Sequence, residues 1–267
     1  MQAMSVIRLY KYRAVGDSFA KDYALEALVN SYAIFSGRKN FNDLFDSKID
    51  IARPTPGQIL ELLQDPKIGD NAAKVSSWIS NGAFTLHGLS TLGVMEAQLN
   101  QIFDSYPIYS LSSHNDCPLL WAHYASNHTG FCIQFEFPGD QPSQVNYRKH
   151  IESVPLLDFL RHHFGLIGDD FGIKIYDALH VKLDCWAYEG EYRWIANNAM
   201  GRIPIGKKFI KISYDPLWVK AIIFGCRTPA DLKTYIRKHL PFKTEFKQAI
   251  ETRDSIEIVP FDEHSHF

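Results

Sequence analysis

The chain has 267 residues, 46% of them hydrophobic and 22% charged, with a formal net charge of −2. That length can bury a large core and that composition excludes a disordered or fibrous polymer, while the charge excludes a global field drawing the molecule to nucleic acid or anionic lipid. Cys117, Cys132, Cys185 and Cys226 are scattered, with no CxxC pair and no opening signal sequence, which predicts free thiols in a reducing cytoplasm. No apolar run approaches the roughly 18 residues of a membrane span, so neither export nor insertion is expected. Phe 18, Tyr 13 and Trp 5 predict a core and any pocket built from large rings with polar tips.

VIRLYKYR (Val6 to Arg13) alternates and predicts a strand. DSFAKDYALEALVNS predicts a helix capped by Asp17 or Ser18, and Ala33 to Ser36 a second strand entering the polar loop GRKNFNDLFD. From 54 to 103 the pattern turns helical, in three pieces separated by Gly, Asp and Pro breakers. Ile108 to Ser112 returns to strand, DCPLLWAHYAS predicts a short helix with Pro118 in its first turn, and GFCIQFEF a strand. A second helical portion covers 155 to 182. EYRWIAN, KFIKIS and VKAIIFG then read as strands, followed by a helix capped at Thr228 and the strands FKQAI and SIEIVPF. Strand runs at both ends around helical insertions predict one α+β domain over 1–267, with a mixed or split central β-sheet and flanking helices.

Five motifs in order, YKYR, FSGRKNFNDLFD, SLSSHNDCPLLWAHYASNHTGFCIQF, WAYEGEYR and the strand ending IIFG, span Tyr10 to Gly225. As a set they resemble the bacterial family called domain of unknown function 2971, whose members usually carry Pro where this chain has Leu44. That resemblance implies no settled activity. A second likeness concerns chemistry: a strand ending in Arg, a helix, a short strand ending in Ser, and a later Glu-x-Glu are similar to the layout of ADP-ribosyltransferases of the Arg-Ser-Glu type. The corresponding residues are Arg13, Ser36, Glu189 and Glu191. The likeness implies NAD as substrate, Glu191 stabilising an oxocarbenium-like ribose and Glu189 orienting or deprotonating the acceptor. Arg13 would hold a dinucleotide phosphate, Ser36 would position the nicotinamide ribose, and Tyr12, Phe41 or Tyr124 would stack on the leaving ring.

Taken from the residues alone, a strand over 188 to 195 puts Glu189, Glu191 and Arg193 on one face and Tyr188, Tyr192 and Trp194 on the other. The competing explanation is an exposed face of ion pairs, each contributing about 0–1 kcal/mol. On the Pro118 helix, Leu120, His123 and Tyr124 share a side, which makes His123 a third catalytic candidate; a helix docked through a backbone-bonded His123 explains the same spacing. Asn40, Asn42, Asp43 and Asp46 form a polar group that Asx turns explain equally well.

There is no GxxxxGK[ST] loop, GxGxxG fingerprint, GxSxG elbow or HExxH pair. Neither Cys nor His falls into ligand spacing, so no metal is expected. The leading expectation is an NAD-consuming, ADP-ribosyltransferase-like cytoplasmic enzyme, a toxin or phage-defence effector. Its partners would be a nucleotide-type small molecule, a protein or nucleic-acid acceptor and an antitoxin or defence-system partner, with no membrane. A catalytically silent nucleotide- or protein-binding module is the alternative. A metal-dependent nuclease using Asp43, Asp46, Glu189 and Glu191 ranks third, because no lysine is expected beside those carboxylates.

Overall fold

The computed structural model describes residues 6–41, 43, 45–139, 142–168, 170–196 and 200–262. Asn42 and Leu44, both singled out above, lie outside the described residues. The chain opens with β1 (Val6–Arg13), α1 (Tyr23–Val29) and β2 (Tyr32–Ser36). α1 starts later than the sequence suggests, because the Asp22 carboxylate accepts from the backbone N–H groups of Ala24 and Leu25, whereas Ser18 precedes only a 3-10 turn and makes no side-chain cap.

The first helical insertion contains β3 (Ile51–Ala52), α2 (Pro56–Leu62), α3 (Asn71–Ser76), a small hairpin of β4 (Ile79–Ser80) and β5 (Ala83–Phe84), and α4 (Leu86–Ser105). Thr55 and Gln58 form a reciprocal capping box on α2. The hairpin turns on Asn81 and Gly82, both at positive φ, as a two-residue Asn-Gly loop requires. Then follow β6 (Ile108–Ser112), α5 (Pro118–Tyr124), β7 (Phe131–Pro138), β8 (Ser143–Gln144), β9 (Asn146–Arg148) and β10 (Val154–Pro155). The second insertion is α6 (Leu156–His163) and α7 (Asp170–Ala178). It ends before Lys182, which lies in β11 (Val181–Leu183). β12 (Glu191–Ile195), β13 (Phe209–Ser213), β14 (Val219–Phe224), α8 (Ala230–His239), β15 (Glu245–Glu251) and β16 (Ile256–Pro260) complete the chain. Thr228 does not cap α8; its hydroxyl donates to the Gly130 carbonyl.

The fold is α+β. Its main sheet is mixed, in the order β13-β2-β6-β1-β7-β14-β15-β16, with β12 on β6 and β8 on β12. β14 and β15 are parallel and joined through α8; their neighbours pair antiparallel. β7 is buried on both faces over most of its length, as its apolar sequence dictates for a central strand. One face packs Leu25 and Leu28 of α1 and Leu232 and Ile236 of α8 against Leu9, Phe35, Phe135 and Phe224. The opposite face packs Leu120 and Trp121 of α5 against Tyr10, Tyr12, Cys132 and Ile223. The insertions share a third core around Trp78, Leu92, Phe103 and Leu160, which reaches the sheet at Ile108 and Ile195.

The sheet splits where β1 meets β6. β1 pairs with β7 along all eight residues, but with β6 only at Tyr10↔Ser112. β2 likewise meets β6 only at Ser36↔Ile108. Between these two points one edge of β6 has no strand partner among the described residues, while its other edge pairs with β12 over all five residues.

Candidate functional site

A cavity of about 400 Å³ occupies this split, a size that suits a small molecule or part of a nucleotide. Arg13 at the end of β1, Ser36 at the end of β2, Glu189 and Glu191 all line it, together with Tyr12, Phe41 and Tyr124. Residues from opposite ends of the chain thus meet because β1, β2 and β12 all abut β6. His123 does not join them. Position 124 repeats the inward direction of Leu120 one helical turn on, and His123 is exposed, its ring 6.3 Å from that of Tyr124.

The carboxylate wall is a buried ion network. Glu191, 3% exposed, accepts from Arg193 Nε at 2.9 Å and Nη2 at 3.3 Å, and from Lys182 Nζ at 3.0 Å. Arg193, fully buried, also donates to Asp46 at 2.5 Å, to Ser47 at 2.8 Å and to the Leu179 carbonyl. Lys182 reaches Glu189 at 2.5 Å and Asp46 at 3.4 Å. The remaining Glu189 oxygen accepts from the Tyr124 hydroxyl at 2.6 Å. Three carboxylates therefore face two cations, leaving one negative charge in excess.

Burial alone would raise the Glu191 pKa, but Arg193 and Lys182 outweigh it and hold the carboxyl down at about 2. The same carboxylates raise Lys182 and Arg193 above their ordinary values despite burial. Lys182 corrects the expectation that no lysine stands beside these carboxylates. Among the described residues no group of three or more His, Cys, Asp or Glu side chains is arranged to hold a metal. Asp43 stands outside the ion network, with one oxygen accepting from the Phe45 amide.

The strand expected over 188 to 195 begins only at Glu191. Residues Asp184–Glu189 form a 3-10 helix that ends on Gly190 at φ 51, where a Cβ would collide with the side chains of Ser113 and His114. Ser112 secures the turn by donating to the Glu189 carbonyl at 2.6 Å. Glu189 and Glu191 meet through Lys182 rather than by sharing a strand face.

The opposite wall holds two cations that sequence reasoning only half anticipated. Lys11 and Arg13 are two residues apart on β1 and therefore project to the same side. The Lys11 amine bridges the split to the Ser110 carbonyl at 2.5 Å and lies 4.6 Å from the centroid of Tyr109. Arg13 touches the Tyr109 hydroxyl at 3.5 Å, its guanidinium 5.6 Å from the same centroid. Among the described residues neither has an acidic partner in ion-pair range. Lys11 is half-buried, and its partial loss of hydration, reinforced by Arg13, lowers its pKa to about 7, although Glu191 and Glu189 pull it upward. The alternation that marks Arg13 marks Lys11 as well; no local signal points to Lys182.

The aromatic candidates are already engaged. Tyr12 packs edge-on against Trp121 at 5.0 Å and donates to the His114 carbonyl at 2.9 Å. Phe41 lies 5.5 Å from the Arg193 guanidinium, and Tyr124 is tethered to Glu189. The Ser36 hydroxyl bonds to no described residue.

The fold and cavity define an α+β protein with a polar, ring-lined site at a break in a mixed sheet. No protein-family model, curated protein or solved structure matches the chain. Among the described residues no helix is long and apolar enough to cross a membrane.

Proposed function

We propose that the cavity at the sheet split is the active site of an NAD-consuming enzyme of the ADP-ribosyltransferase type, in a chain whose motifs resemble the domain of unknown function 2971. The observation that carries this reading is the meeting of Arg13, Ser36 and Glu191 around one cavity. In the proposed reaction the bond from the ribose C1′ to the nicotinamide nitrogen breaks, nicotinamide leaves with the bonding pair, and an acceptor oxygen or nitrogen bonds to C1′ while losing its proton to solvent. Positive charge grows on the ribose in between. The ion network supports that charge by its excess negative charge, held at low dielectric and already oriented. Glu191 contributes as a fixed carboxylate, ionised well below neutral pH, and not as a proton carrier. Ser36 offers a hydroxyl to the ribose, and Arg13 a guanidinium to the diphosphate. The acceptor is a macromolecule, and an effector role in toxicity or phage defence belongs to the same proposal.

One observation favours a binding module without turnover: Glu189 and Glu191 each have both oxygens engaged. Nicotinamide release from NAD, with a bacterial lysate as acceptor source, separates the two. Wild type should release nicotinamide, and Glu191→Gln should do so on the order of 10²–10³ more slowly while still binding NAD. Binding of NAD by wild type with no release would establish the module instead.

A further inference from the structure

We infer that Lys11 and Arg13 together form an anion subsite in the cavity, one that takes a phosphate or diphosphate group. This deepens the reading above and rests on it for the identity of the natural ligand, because it names the group that would receive the diphosphate of a dinucleotide. Three observations carry it. Both cations line the cavity, and neither has a carboxylate partner among the described residues. The carboxylates nearby, Asp46, Glu189 and Glu191, are committed to Lys182 and Arg193. Finally, the Lys11 amine holds one carbonyl, leaving two of its three protons for a ligand.

The surroundings of Lys11 set the direction of the linkage. From its own strand Arg13 opposes its charge; from β12 and the preceding turn Glu191 and Glu189 favour it. Tyr109 and Ser110 face it from β6, and from β7 the Cys132 thiol is pushed well up by burial. Glu191 stays ionised across the neutral range. No histidine lines the cavity among the described residues. A bound anion supplies the missing counter-charge, so it raises the Lys11 pKa, and by linkage the anion binds more tightly below about pH 7 than above it. An arginine at the same position would keep its charge throughout.

The test is calorimetric titration with sulfate and with ADP-ribose, neither of which changes protonation between pH 6 and 8.5. Wild-type affinity for both should fall roughly tenfold or more from pH 6 to 8.5. Binding at pH 7.5 should take up a fraction of a proton, read from the dependence of the heat on buffer ionisation. Lys11→Arg should bind with a flat pH profile, and Lys11→Met should lose the tightening at pH 6. No binding of either anion by wild type, or an affinity at pH 6 that Lys11→Met leaves unchanged, would overturn the inference. The wild-type titration stands alone should a variant fail to fold. Proton-linked binding of ADP-ribose without nicotinamide release would leave the subsite standing and remove the transferase.

Discussion

The two walls of the cavity are built from the same kinds of residue and behave oppositely. On the β12 side Arg193 and Lys182 are saturated by Asp46, Glu189 and Glu191, and the cluster is nearly inaccessible to water. On the β1 side Lys11 and Arg13 have a carbonyl and a tyrosine for company and no carboxylate among the described residues. A buried charge without a partner is costly, and a saturated one is rigid. The difference teaches that the β12 wall is scaffold, fixing a charged surface before any ligand arrives, and that the β1 wall is the part left for the ligand to complete.

The sharpest way to break that comparison is to remove Arg193. Arg193→Met strands Glu191 and Asp46 in the interior and should cost about 3–5 kcal/mol in urea unfolding. A loss below about 1 kcal/mol would mean that the network behaves like an exposed one.

Acid attacks the same wall. The folded pKa of Glu191, about 2, lies below its ordinary 4.5, so its contribution to stability is complete above pH 4.5 and disappears as pH falls through 2. The loss should appear in unfolding free energies measured from pH 6 downward, and Glu191→Gln should flatten that dependence.

At neutral pH Glu191→Gln should cost less than Arg193→Met, about 1–3 kcal/mol, because removing one of three carboxylates leaves two against two cations. Equal losses for the two variants would show that the excess negative charge is neutralised by something else.

On the β1 wall the sign reverses. The folded pKa of Lys11 is lowered to about 7 from an ordinary 10.5, so its penalty is complete below pH 7 and fades as pH rises toward 10.5. Lys11→Met should therefore be more stable than wild type at pH 6, by about 1 kcal/mol, with the gain shrinking at pH 9. Thermal unfolding at both values checks it, and destabilisation at pH 6 would place Lys11 in the scaffold. Arg13→Met should change stability by less than about 1 kcal/mol, since one hydrogen bond at 3.5 Å is its main tie.

The local grammar of the sequence determined most of the strands. β1, β6, β7 and β14 follow from alternation or from short apolar runs between breakers, and Pro118 marked the start of α5. The resemblance to the Arg-Ser-Glu layout of ADP-ribosyltransferases put Arg13, Ser36, Glu189 and Glu191 forward together, and all four line one cavity. Tertiary structure alone decided the rest. Arg193 finds Asp46 across 147 residues and Lys182 finds Glu189 across a 3-10 turn, and ion pairs between separate elements leave no periodic trace. His123 and Tyr124 are equivalent candidates on a helical wheel, and only the docking angle of α5 turns one inward and the other to solvent. Lys11 had the right spacing in plain view. What could not be read was that β1 and β6 part there, so that a lysine meets a lone carbonyl where a strand would otherwise have paired.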